Sequence, residues 1–349
     1  MNKLNLGIIG TGMALERLHW PALQELKDKY KIIALCDEKK EKAEKFAGKI
    51  NLGSENIYQN YREMLKRNDI DAVDLMVPIE DNFDVAKAVV EAGIDLIAEK
   101  PLAATLEGAE KLLELHQQYN VKIMVAENYR YNEEINKIRD IINQGQIGEI
   151  VYFIKNKVVD LENEMKKNTF AATEWRQHPE YRGGAILDAG IHDIAGFRHI
   201  FGEVDEVYAM GRPQQEDFSP YMSVNSQILF NNGIIGHFSY FTDGKETQRP
   251  LIGLRIFGTE GEIYLEEKKC GVINLSYKNG GSEQIQYQPE RGYYNELLNF
   301  YNAWTGQEEI SVTPEVEYGD IKMIFDILNS IEENQPQKVD QKIRETTLV

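Results

Sequence analysis

Asp188 and His192 stand four residues apart in Ala185-Ile186-Leu187-Asp188-Ala189-Gly190-Ile191-His192-Asp193, a spacing that puts both on one face if the segment is helical. A carboxylate beside an imidazole orients the ring and supports its charged form. A histidine titrating near neutrality suits proton exchange with an alcohol. The plain alternative is a pair that caps or bridges a helix. Glu99-Lys100-Pro101 follows the apolar run Ile94 to Ala98. A lysine at such a strand end can stabilise an alkoxide-like oxygen. From position alone it is equally a surface lysine ahead of a proline. Gly10-Thr11-Gly12 follows the run Lys3 to Ile9 and opens a helical segment. That is the setting in which glycines let a backbone approach a pyrophosphate at a helix N-terminus. The third glycine of the fingerprint is absent, its position taken by Leu15. Asp37 ends the next apolar run, where a carboxylate can accept both ribose hydroxyls of an adenosine and repel a 2′-phosphate. NAD is therefore expected over NADP, with Lys39 and Lys40 keeping NADP possible.

The elements that must carry these residues alternate. Strand-like runs at Lys3–Ile9, Lys31–Cys36, Ala72–Val77, Ile94–Ala98 and Val121–Ala126 are separated by helical stretches at Ala14–Tyr30, Lys39–Ile50, Asn82–Ala92 and Thr105–Tyr119. Short apolar strands alternating with helices predict βαβ units and a parallel, doubly wound sheet, with its ligand crevice beyond the strands' carboxyl ends. The glycine turn, Asp37 and Lys100 all fall at such ends.

Read together, the motifs make the chain resemble the Gfo/Idh/MocA family of oxidoreductases, from Leu6 to about Ser330. The likeness rests on the glycine turn followed by His19-Trp20-Pro21-Ala22-Leu23, on Glu99-Lys100-Pro101, and on Gly183-Gly184 followed by Asp188-x-Gly190-x-His192. It implies that Lys100 touches the nicotinamide side and the substrate hydroxyl, that His192 exchanges the proton, and that Asp188 sits beside it on the substrate. It implies cofactor contacts from Gly10, Thr11, Gly12, Met13, Ala14, Asp37, Pro78, Glu99, Lys100 and Asn128. Trp175 and Arg176 are expected to reach toward the cofactor, with core packing and a structural ion pair as equal alternatives. Tyr293 is placed at the same crevice. After Pro78 many relatives carry Asn and then His, where this chain has Ile79 and Asn82. His19 reads as a packing and turn residue rather than a catalyst.

Beyond Ile150 the pattern changes to successive strands at Glu149–Val158, Asp205–Met210, Val224–Phe230, Ile234–Tyr240, Leu251–Phe257 and Glu262–Glu266. Turn signals lie at Asn231-Asn232-Gly233 and Gly258-Thr259-Glu260-Gly261. Helices are expected near Ile191–Phe201, Tyr294–Trp304 and Asp320–Ile331. The second half is thus an α+β domain, and the resemblance implies an open, mostly antiparallel sheet covered by helices on one face. The domains are expected at 1–127 (Rossmann, dinucleotide) and 128–349 (substrate and oligomerisation). The bare sheet face predicts a homodimer or homotetramer. Glu162 to Thr173 reads as a loop near the site, with Phe170 and Glu174 facing pocket or solvent.

A formal net charge of −18 speaks against nucleic acid and anionic membranes as partners. No run approaches the roughly 18–20 apolar residues of a membrane span, and no signal peptide opens the chain, so a cytoplasmic location is expected. Cys36 and Cys270 suggest neither disulfide nor zinc site, and no metal motif occurs. The expected activity is hydride transfer between NAD, or possibly NADP, and a secondary alcohol or ketone of a sugar, inositol or polyol. An NAD-retaining glycosidase working by oxidation, elimination and reduction, and a non-catalytic dinucleotide sensor, are the rivals. A sensor has no need of the acid–base set Lys100, Asp188 and His192.

Overall fold

The computed structural model describes residues 3–244 and 253–339. The chain divides into two compact units: the chain up to Asn128 together with Gly292–Tyr318, and Tyr129–Arg291 together with the chain from Gly319 onward.

The first unit is built on six strands: β1 (Leu4–Ile9), β2 (Tyr30–Cys36), β3 (Ile57–Tyr58), β4 (Ala72–Leu75), β5 (Asp95–Glu99) and β6 (Ile123–Ala126). All pair in parallel, in the order β3-β2-β1-β4-β5-β6. Every residue of β4 and β6 is buried, which is why these strands are apolar on both faces rather than alternating, Asp74 excepted. The strand order reverses between β1 and β4, and an α/β sheet opens its ligand crevice at such a reversal.

The helix after the glycine turn is shorter than expected and not regular. It passes through a wide π turn at Leu15–His19 and ends with Trp20–Glu25, while Tyr30 already belongs to β2. The π turn lies directly before Pro21, which has no N–H to give to the carbonyl four residues back.

Residues 292–318 return to the first unit, so the stretch 128–349 is not one body. Two bonds show why: Tyr30 Oη donates to Leu297 O at 2.6 Å, and Val125 N donates to Val312 O at 2.9 Å.

The second unit carries a nine-stranded sheet. Its strands are β7 (Ile150–Val158), β8 (Val204–Pro213), β9 (Tyr221–Phe230), β10 (Ile235–Phe241), β11 (Gly253–Gly258), β12 (Gly261–Leu265), β13 (Val272–Tyr277), β14 (Ser282–Gln286) and β15 (Gln337–Lys338). The order is β14-β13-β12-β11-β7-β10-β9-β8-β15, antiparallel except for β7 against β10. Both predicted turns close hairpins, β9–β10 and β11–β12. The strand expected over Leu251–Phe257 begins, among the described residues, at Gly253, since Leu251 and Ile252 lie outside them. The segment 162–173, expected as a loop, contains a helix at Leu161–Met165 and a 3-10 turn at Phe170–Ala172. Asp160 starts the helix by accepting from Asn163 N at 3.3 Å.

The sheet has two unlike faces. Along β9, Val224, Ser226, Ile228 and Phe230 are buried while Asn225, Gln227 and Leu229 are exposed. The helix Ile191–Phe201 covers the buried face, and Phe153 of β7 stacks on Phe201 with ring centroids 4.3 Å apart. On the other face, Leu229, Ile235 and Tyr152 are cross-strand neighbours and are all exposed; Met210, farther along β8 opposite Asn225, is 61% exposed. Among the described residues, no helix is long and apolar enough to cross a membrane.

Candidate active site

In the first unit the glycine turn and Asp37 are joined directly. Thr11 donates from its backbone N and from Oγ1 to Asp37 Oδ2, both at 2.9 Å, and Lys39 N donates to Oδ1 at 3.0 Å. Asp37 therefore ties the end of β2 to the turn after β1, and three of a carboxylate's roughly four acceptor directions are taken. The expectation that it serves both ribose hydroxyls is narrowed to about one remaining direction. Gly10 has φ 94°, and a Cβ there would lie 2.0 Å from Met76 O, so only glycine fits. Gly12 meets nothing within 4 Å on its open side. The helix beyond starts at Met13 and Ala14, and its first bond runs from Glu16 N to Gly12 O at 3.1 Å. Earlier N–H groups have no intrahelical partner and form an anion cradle. This open, donor-rich turn beside a buried carboxylate fits the pyrophosphate and ribose of a dinucleotide. Pro78 caps the helix Ile79–Glu91 beyond the carboxyl end of β4, and Asn128 follows β6.

Lys100 leaves the end of β5 through a cis bond to Pro101. Behind it lies a buried charge cluster that the sequence reading missed. His19 is fully buried, with Nδ1 2.9 Å from Asp74 Oδ2 and Nε2 3.0 Å from Glu99 Oε1. Burial opposes its charge, but the two carboxylates prevail and raise its pKa well above the usual histidine value. The imidazolium thus locks the carboxylate next to Lys100. Asn82 donates from Nδ2 to Glu99 O at 2.7 Å and to Pro101 O at 2.8 Å, holding the turn on its other side. Tyr293 packs its ring on His19 at 5.9 Å. Glu296, from the helix Gly292–Trp304, is buried beside this cluster, and among the described residues neither of its carboxyl oxygens is hydrogen-bonded. Burial pushes its pKa well up; His19 pulls it down, while Glu99, Glu127 and Asp74 raise it further.

In the second unit, Gly183 and Gly184 lead into a π turn, Ile186–Gly190, and the helix Ile191–Phe201. A Cβ on Gly184, whose φ is 50°, would meet Phe218 O at 2.3 Å. Asp188 lies in the π turn and His192 in the first turn of the helix. The Asp188 carboxylate accepts from Arg176 Nε at 2.6 Å and from Nη2 at 3.5 Å. The guanidinium also lies over the Trp175 ring at 3.9 Å. Arg176 is thus the ion-pair partner of Asp188, with Trp175 as its platform. Glu174 opens the same short helix, and Phe170 lies 5.7 Å from the guanidinium, ring centroid to carbon.

Tyr129 stacks on His192 with centroids 4.7 Å apart and planes 16° from parallel. Below them, Lys157 Nζ donates to Asp193 Oδ2 at 2.7 Å and to Ala189 O at 2.8 Å, and Lys155 Nζ stands 3.7 Å from Asp193 Oδ1. Asp193 keeps a lowered pKa although burial opposes it, because Lys157 and Lys155 face it. Tyr240 Oη donates to Ala185 O at 3.3 Å.

The predicted residues therefore group within each unit: Gly10, Thr11, Gly12 and Asp37 at one turn, Glu99 and Lys100 at another, and Trp175, Arg176, Asp188 and His192 around one helix start. His19, Asn82, Tyr129, Lys155, Lys157, Asp193 and Glu296 were missed as members of these groups. Lys155 and Lys157 carried a readable signal, since charged residues two apart in a strand share one face.

Residues 4–127 match the family described as "Oxidoreductase family, NAD-binding Rossmann fold", and residues 135–264 match the "GFO/IDH/MocA C-terminal domain". An uncharacterized protein of Saccharomyces cerevisiae is 32% identical over 313 residues, covering 87% of this chain and 88% of that protein. Levoglucosan dehydrogenase of Pseudarthrobacter phenanthrenivorans is 26% identical over 320 residues, covering 81% of this chain and 79% of that enzyme. The crystal structure of an oxidoreductase from Thermotoga maritima superposes with a TM-score of 0.86 at 26% identity, covering 97% of this chain and 99% of that one.

Proposed function

The chain belongs to the Gfo/Idh/MocA oxidoreductase family, and from that premise we propose that it transfers a hydride between NAD and a secondary alcohol or ketone of a sugar, inositol or related polyol. The observation that carries the reading is His192, held flat against Tyr129 at a helix start whose other polar group, Asp188, is fixed by Arg176. An aromatic wall and a clamped carboxylate give an imidazole a set orientation, as proton transfer to a positioned hydroxyl requires. The relative named levoglucosan dehydrogenase supports a carbohydrate substrate.

Bound NAD supplies the hydride-accepting ring. Gly10, Thr11, Gly12, Met13 and Ala14 hold its pyrophosphate side, Asp37 its adenosine ribose, and Pro78, Glu99 and Asn128 line its path. His192 takes the proton from the substrate hydroxyl. Asp188, clamped by Arg176, accepts from a neighbouring substrate hydroxyl. Lys100 gives its positive charge to the oxygen that becomes a carbonyl, which stabilises it most while it resembles an alkoxide. The imidazolium of His19, through Glu99, and the amide of Asn82 keep the Lys100 turn in place, so the charge is preorganised rather than recruited.

The bare apolar row of the second sheet supports a homodimer or homotetramer formed through that face, and a cytoplasmic setting suits the proposed NAD dependence. The test is formation of reduced cofactor from NAD, and separately NADP, against a panel of inositols, aldoses and polyols. Turnover abolished by His192→Ala and by Lys100→Ala supports the reading. Activity that survives both substitutions sinks it.

A further inference from the structure

The chain as a whole is strongly acidic, with 57 Asp and Glu against 39 Lys and Arg, yet the surroundings of His192 are cationic. Lys155 and Lys157 project from neighbouring inward positions of β7 and share the single carboxylate of Asp193. A third ammonium, Lys268, follows β12 and lies 5.2 Å over the ring of Tyr129, the same ring that stacks on His192. Lys268 is exposed, and among the described residues no carboxylate or carbonyl hydrogen-bonds or ion-pairs with it. Asp188 is already matched by Arg176 and adds no net charge.

Three ammonium groups around Asp193 and Tyr129, with Glu290 acting on Lys268 and itself paired with Lys269, leave an excess of positive charge around the helix start that carries His192. Glu134 cancels it only in part: burial pushes its carboxyl up to about 7, and among the described residues its Oε2 has no hydrogen-bond partner. The excess strains the lysines themselves. Lys155 is lowered by burial and by Lys157, with Asp193 pulling the other way. An anion placed among them relieves that repulsion. A neutral polyol needs hydroxyl partners, not uncompensated charge. Desolvating lysines without a counter-ion costs free energy that a substrate of opposite sign offsets.

We propose that the His192 end of the second unit binds a substrate carrying an anionic group, a sugar acid or a sugar phosphate, with Lys268 as the ammonium that receives the anion and Lys157 and Lys155 behind it. The inference rests on the reading of His192 as the substrate's proton acceptor. Lysine ammonium groups are point charges and do not by themselves choose between a planar carboxylate and a tetrahedral phosphate. The experiment makes that choice.

The NAD-loaded full chain is titrated calorimetrically with D-glucuronate, D-gluconate and D-glucose 6-phosphate, each against D-glucose, and with myo-inositol. The titrations are repeated on Lys268→Gln. At least one anion is expected to bind about tenfold or more tighter than its neutral counterpart, the size of one charge-assisted contact. Lys268→Gln removes that preference and changes neutral binding much less. Added salt weakens the anion alone. Equal or tighter binding of the neutral sugars overturns the proposal, as does a preference that survives Lys268→Gln, or no binding by any anion. Reduced-cofactor formation on the same panel separates the two claims. Turnover of neutral sugars without preference for acids keeps the dehydrogenase and removes the anion site. Anion binding lost in Lys268→Gln without turnover of any panel member does the reverse.

Discussion

Tyr129 lies flat on His192, ring centroids 4.7 Å apart and planes within 16° of parallel. A ring stack holds the imidazole plane through shape rather than charge. Tyr129→Phe should keep kcat/KM within about threefold, and Tyr129→Leu should lower it by roughly tenfold, the cost of a loosened catalytic ring. His192→Ala should lower kcat by about 10²-fold or more. Steady-state kinetics with the best panel substrate measure all three. A Phe variant as damaged as the Leu variant would transfer the role to the phenol hydroxyl.

Asp37 has two functions that one variant separates. Its carboxylate receives both the backbone N and the hydroxyl of Thr11, and it stands where an adenosine ribose is expected. Asp37→Asn keeps the shape and loses the charge. The KM for NAD should rise by about tenfold and the ratio of NAD to NADP use should fall, because repulsion of a 2′-phosphate is gone. Lost charge-assisted bonds to the turn should cost roughly 1.5–3 kcal/mol of stability. Cofactor KM values and denaturant melts read the two effects independently. An unchanged cofactor ratio would leave Asp37 with only its structural bonds to Thr11.

The buried imidazolium of His19 gives stability a pH dependence of known sign. Its folded pKa is raised by Asp74 and Glu99, so folding takes up a proton above the unfolded value near 6.5. The contribution is full below about pH 6.5, down to the carboxylate range, and declines as pH rises through the folded value. His19→Gln leaves buried carboxylates unpaired and should destabilise by about 3–5 kcal/mol near pH 6 and by less at high pH. Because the pair secures the Lys100 turn, kcat should fall more than KM rises. Urea melts across that pH range are the check, and a penalty that grows with pH contradicts the assignment.

Glu134 shows the opposite behaviour for a carboxyl. Burial pushes it up to about 7, so between roughly pH 4.5 and 7 the folded chain holds a proton that the unfolded chain has lost. Stability is therefore lost as pH rises through that window. Glu134→Gln should be nearly neutral at pH 5 and stabilising by up to about 3 kcal/mol at pH 8. Thermal melts of both proteins at the two pH values decide it. No gain at pH 8 would mean that Lys155 and Lys268 compensate the ionised carboxylate.

What could be read from the sequence was what is local. Gly10, Gly12 and Asp37 follow strands that announce themselves by largely apolar runs, and the helix start at Asp188 to His192 follows a glycine pair. Contacts across long separations were not legible. His19 reads as packing because neither Asp74 nor Glu99 is near it in the chain. The return of residues 292–318 to the first unit leaves no mark, since the helix Gly292–Trp304 is amphipathic whichever body it covers. β14 was missed because Ser282–Gln286 is polar and mostly exposed, so an edge strand there has no hydrophobic alternation to betray it.

The same reasoning about faces yields a prediction for assembly. Leu229, Ile235 and Tyr152 form a cross-strand row on the bare face of the sheet, and Tyr152 extends it by stacking on Phe257 at 4.4 Å. Beside the row runs a polar ladder, in which Gln227 Nε2 lies 2.8 Å from His237 Nδ1 and Ser239 Oγ donates to Asn225 Oδ1 at 2.8 Å. An apolar row set among polar groups that hydrogen-bond one another resembles an interface more than a solvated surface. Ile235 is 50% exposed in the single chain, so Ile235→Glu should leave the monomer's thermal stability nearly unchanged. In a face-to-face dimer the symmetry brings the new carboxylates close together or buries each one, and either result is costly. Sedimentation velocity should show a dimer or tetramer for the unaltered chain and a shift to monomer for Ile235→Glu. A chain that sediments as a monomer before any substitution would leave this face as a solvated surface.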